Sequence, residues 1–145
     1  MNISIHTRTT IAFLTAFGIL AGCATVGKDL VRTDTVKIEK VSSAHGTVGP
    51  VSVIQERNEV TLRGEVRRRP FGPGPIPGHV ELEVISPEGD VLQKCVIVYY
   101  RPSPESIYAN FHAVLKVMPP GSTIRVEHDS HVVSAGEQAH CNDSL

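Results

Sequence analysis

The residues of this chain best equipped for chemistry are its histidines. His112, the run "HDSH" at 128–131 and His140 all fall in the last third of the sequence. Imidazole nitrogen and carboxylate oxygen are ordinary ligands of zinc and copper. Spacing decides which of them can converge. Neighbouring side chains of an extended strand project to opposite faces. His128 shares the face of Ile124 and Val126, whereas His112 lies opposite the face of Phe111. A hairpin of these two segments would send the imidazoles to opposite sides. His128, His131 and His140 therefore stand as a metal-binding alternative near a strand end, and the main reading expects no metal and no cofactor. Asp129, Ser130 and His131 are the residue types of a hydrolytic triad, but a triad needs converging side chains. Neither GxSxG, HExxH nor a glycine-rich phosphate loop occurs, so no enzyme is expected.

A second candidate is the stretch "RRRPFGPGPIPGH", residues 67–79. Its four prolines fix φ repeatedly and favour a stiff, extended path. Arg67, Arg68 and Arg69 place positive charge where that path begins, and Phe71 and Ile76 are expected as exposed apolar tips. Such a loop suits contact with an envelope protein, anionic lipid headgroups or peptidoglycan carboxylates. The plainer alternative is a stiff crossover between sheets, with Glu81, Glu83 and neighbouring acids pairing with Arg63 and Arg67.

The elements that must position these residues read as β structure. Val36, Ile38 and Val41 mark a first short strand. "PVSVIQERNEVTLRGEV" forms two runs around the turn "ERNE", with Val60, Leu62 and Val66 on one face. Val80, Leu82 and Val84 alternate with His79, Glu81 and Glu83. Period-two alternation marks half-buried strands. "SPEGD" and "PPGS" are turns, with proline presetting φ and glycine supplying positive φ. "VLQKCVIVYY" is apolar on both faces at its centre, which predicts a central strand. "SPESIYANFHAVLKVM" is ambiguous. Ser103 and Pro104 could open a helix, yet residues 107–117 alternate without a break, and a strand is favoured.

The N-terminus carries an address. "MNISIHTRTT" holds one arginine and no acid, and "IAFLTAFGIL" follows. About ten apolar residues are too few to span a bilayer, which takes about 20, but they suit a signal-peptide core. The next residues, "LAGC" from Leu20 to Cys23, resemble the lipobox of bacterial lipoproteins. The resemblance implies removal of residues 1–22 and acylation of Cys23, with palmitate among the expected acyl chains. Two or three such chains make a stable membrane anchor. Ala24, rather than Asp, after the cysteine implies the outer membrane, facing the periplasm. Residues 23–33 then form a tether and 34–145 the domain. Loss of Arg8 with the signal takes Lys+Arg from 14 to 13 against 15 acids, leaving a net charge near −2, with no reason to expect nucleic acid as a partner. With Cys23 acylated, Cys95 and Cys141 remain as a pair in an oxidising compartment, and a structural disulfide is expected. Closing a loop of about 47 residues should stabilise the fold by about 4 kcal/mol.

About seven short strands separated by turns predict an all-β chain with a single β-sandwich. "GHVELEVISPEGDVL" through "NFHAVLKVMPPGSTIRV" resembles an immunoglobulin-like or fibronectin-like module, without the core tryptophan of antibody domains. The alternative is α+β with one helix near 104–118. The expected function is a non-catalytic binding or envelope-assembly module, and the runner-up is periplasmic metal binding or handling.

Overall fold

The computed structural model describes residues 27–70, 76–103, 105–131 and 141–143. Residues 1–22, the expected signal segment, and Cys23, Phe71 and His140 lie outside the described residues. Among the described residues nine strands follow in chain order: β1 (Lys28–Asp29), β2 (Lys37–Val41), β3 (Gly46–Glu56), β4 (Glu59–Arg68), β5 (His79–Ile85), β6 (Val91–Ile97), β7 (Tyr108–Leu115), β8 (Thr123–Asp129) and β9 (Cys141–Asp143). They form two sheets, ordered β1-β3-β4-β7 and β2-β8-β5-β6-β9. The chain is therefore an all-β sandwich, with two very short strands, β1 and β9, beyond the expected seven.

Alternation builds the core. Val60, Leu62 and Val66 of β4 turn inward against Val80, Leu82 and Val84 of β5, joined by Val53, Phe111, Leu115, Ile124 and Val126, all essentially without solvent contact. β4 and β5 are the middle strands, each paired along its length on both sides. The apolar β6 is less central than its composition implies, because β9 covers only Gln93–Cys95. Its apolar run leaves the sheet after Ile97, and Val98 is exposed.

The helix alternative over 104–118 is overturned. Ala109, Phe111, Ala113 and Leu115 point into the core while Tyr108, Asn110, His112 and Val114 face outward. β4 supplies an eight-residue pairing partner, Val60↔Leu115 to Arg67↔Tyr108. Backbone pairing along a whole strand outweighs a helix-start signal that is only local. The expected hairpin of this segment with 124–128 is also corrected. β7 and β8 belong to opposite sheets, and the "PPGS" turn carries the chain from one to the other.

The pairings β4–β7 and β5–β8 are those of strands B–E and C–F in an immunoglobulin sandwich. The place beside F, held by G in that fold, is taken here by β2, which arrives from the N-terminal side and runs parallel to β8. The chain also joins the fold earlier than the tether reading 23–33 allowed. Lys28 stands opposite Gln55, and Leu30 is buried beneath Val53, its amide bonded to the Val53 carbonyl at 2.8 Å. One buried leucine within a polar stretch gives no periodic signal.

Turn chemistry follows the sequence. At the β5–β6 hairpin Gly89 takes a φ of 99° and donates to the Ser86 carbonyl at 3.0 Å, while Ser86 Oγ accepts the Glu88 and Asp90 amides. In β3 a bulge between Val48 and Val51 accommodates Pro50, which has no amide to give the ladder.

Candidate functional site: the pole bearing the arginine loop

The register gives the sandwich two distinct ends. β1 lies beside the Arg57–Asn58 turn, since Lys28 pairs with Gln55 and Glu56 with Glu59. β4 runs from that end over ten residues to Arg68, about 30 Å away at strand rise. At the far end meet the β2–β3 turn, the exit of the arginine loop, the crossover after β6 and the end of β8.

His128 organises this pole. It is buried between the sheets. Tyr99 Oη donates to the Ile76 carbonyl at 3.1 Å, so its oxygen accepts from His128 Nε2 at 3.3 Å. Ser43 Oγ, itself accepting the His45 and Gly46 amides, donates to His128 Nδ1 at 2.7 Å. The Tyr99 and His128 rings stack, with centroids 5.8 Å apart. Burial pushes the His128 pKa down, against a backbone hydrogen bond at Pro77 that raises it. Burial also pushes the Tyr99 phenol up to about 12. Four separate segments are thereby tied to one neutral ring.

The loop residues divide. Arg67, its side chain 60% exposed, pairs with Glu65. Arg68 is half-buried, its amide bonded to the Ile107 carbonyl at 2.8 Å, and Arg69 is exposed. Ile76, expected as an exposed tip, is instead buried, with 5% of its surface left. Its carbonyl is held by Tyr99, which draws the loop exit onto the core. Gly78 completes that closure at φ 106°, where an added Cβ would stand 1.8 Å from the Asp129 carbonyl oxygen. Only glycine fits there.

Of the plainer alternative, Arg67 does pair with a neighbouring acid, Glu65, but among the described residues no ion pair joins Arg63 or Arg67 to Glu81 or Glu83. Those acids lie on the outer face of the other sheet. Across it Glu39, Arg125, Glu83 and Lys94 occupy facing positions of β2, β8, β5 and β6, alternating in sign. Arg125 sits 3.2 Å from Glu39 and 3.4 Å from Glu83, and Lys94 bridges Glu83 at 3.3 Å and Glu81 at 3.0 Å. The Lys94 hydrogen bond is the main reason Glu81 titrates below the usual carboxylate range.

The metal alternative His128, His131 and His140 is not assembled by the described residues. Both His128 nitrogens are engaged inside the sandwich, while His131 is exposed with Nδ1 2.6 Å from Asp129 Oδ1. His112 lies on the outer surface of the β4–β7 sheet, beside a shallow groove of about 530 Å³ that Arg63, Tyr100 and Asn110 also line. Of the hydrolytic trio, Asp129 and His131 meet, and among the described residues no hydrogen bond joins Ser130 to either. The residue that sequence reasoning missed is His79. It is buried, with Nδ1 3.0 Å from the His131 carbonyl oxygen, and it faces Asp129 directly across the β5–β8 ladder. With Glu81 it brings one nitrogen and two carboxylate oxygens within 4.8 Å of one another. Parity had grouped it with surface acids, and nothing local announces the strand end that covers it.

No family model matches the chain, and neither a curated protein nor a solved structure matches it detectably.

Proposed function

We propose that this chain is a lipid-anchored, non-catalytic binding module of the bacterial envelope, acylated at Cys23 and seated on the periplasmic face of the outer membrane. Its working surface is the pole that bears Arg67, Arg68 and Arg69. One observation carries the reading: β1 starts five residues after the lipobox cysteine, and the arginine loop leaves from the opposite end of the sandwich. Five residues reach at most about 18 Å, so an anchored domain sits close to the bilayer with its arginines turned away from it. That arrangement favours an anionic polymer or envelope protein over the headgroups of the anchoring membrane. The cross-strand disulfide between β6 and β9 supports an oxidising compartment.

The address is tested by growth in radiolabelled palmitate. Label should appear on the chain in the membrane fraction and vanish in Cys23→Ser. Absent label, or label that survives the substitution, refutes the anchor. The surface is tested by sedimentation with purified peptidoglycan sacculi. Wild type should co-sediment, and the triple change Arg67→Ser, Arg68→Ser, Arg69→Ser should weaken this strongly. Equal sedimentation of both removes the arginine pole as the contact.

A further inference from the structure

We infer that His79, Glu81 and Asp129 form a binding site for a divalent cation of the zinc type. The argument begins with one hydrogen bond. The His131 carbonyl oxygen can only accept, so His79 Nδ1 must carry the proton that joins them at 3.0 Å. In the neutral ring Nε2 is then left with its lone pair. That atom faces Glu81 Oε1 at 3.5 Å, which also has only lone pairs to offer. Two acceptors oppose each other at a ring that retains 5% of its exposure. Either a second proton on the ring, which makes the contact a His79–Glu81 ion pair, or a bound metal cation resolves the conflict, and the ligands around the gap favour the cation.

The surroundings match what such a cation requires. Imidazoles that ligate metals commonly donate their other N–H to a backbone carbonyl, which fixes tautomer and ring orientation. Each carboxylate has one oxygen already restrained. Lys94 holds Glu81 Oε2 at 3.0 Å, while the amide and ring of His131 hold Asp129 Oδ1 at 2.9 and 2.6 Å. Restraint at one oxygen orients the other. Asp129 stands across the ladder from His79, and Glu127 stands across from Glu81 on the same outer face, adding negative charge beside the site. One imidazole nitrogen and two carboxylate oxygens are donor types that zinc accepts, and three protein ligands leave a fourth position open to water. A nitrogen ligand also disfavours magnesium and calcium, which prefer all-oxygen shells.

The experiment is a calorimetric zinc titration of the full chain in detergent, disulfide intact. One equivalent should bind and raise the melting temperature. Glu81→Gln and Asp129→Asn should each weaken binding by about tenfold or more, while melting as wild type does in chelator. His140→Ala should bind as wild type. On the labelled protein, the ¹⁵N resonance of His79 Nε2 should move on zinc addition and not on magnesium addition. No binding in excess zinc, undiminished binding in both carboxamide variants, loss in His140→Ala, or an Nε2 that bears a proton and ignores zinc would each overturn the site.

Discussion

Residue by residue, the chemistry of the far pole depends on which ring nitrogens are committed. Tyr99 gives the clearest measurable consequence. Its phenol titrates near 12 in the fold against an ordinary value of 10.0. Below the ordinary value both folded and unfolded chains hold the proton, and the contribution is constant. As pH rises from about 10 to about 12 the unfolded chain releases its proton first, so stability falls across that window. Tyr99→Phe should lose about 1 kcal/mol at neutral pH with the hydrogen bonds to Ile76 and His128, and its stability should decline less steeply in alkali. Urea unfolding across the alkaline range checks both, and parallel curves would contradict the assignment. Strand parity correctly placed His128 with Ile124 and Val126, on the inner face. It could not show that Ser43 and Tyr99 would satisfy the ring, because those partners lie 85 and 29 residues away. His79 was misjudged for the same reason: its cover comes from His131, 52 residues on.

Among the elements, the turns and the longer strands were the legible parts, since proline, glycine and period-two patterns act locally. The partners of each strand were not, because pairing across sheets leaves no mark within the strand itself. The β3–β4 turn nevertheless hides a local cost. Arg57 there takes a φ of 55°, a left-handed conformation disfavoured for any side chain. Arg57→Gly should raise stability by about 0.5–1 kcal/mol, read as a higher urea midpoint with unchanged slope. A lower midpoint would show that the arginine side chain contributes more than its backbone costs. At the other edge, Cys95 and Cys141 face each other across β6–β9 with a sequence separation of 46. Replacing both with alanine should cost about 4 kcal/mol. It should also speed amide exchange in β6 around Lys94, which pairs with β9 on its outer side. Unaltered stability in denaturant would mean that β9 holds without its covalent tie.

For the molecule as a whole, the arrangement of β2 has a mechanical consequence. β2 runs parallel to β8 over five facing pairs, starting at the end where β1 lies and finishing beneath the far pole. A pull on the amino terminus, resisted at the far pole, first slides the two-residue β1 off β3. It then draws β2 along its own axis, so that its rungs must yield together rather than one after another. The sandwich is thus built to bear load in shear when pulled from its amino-terminal end.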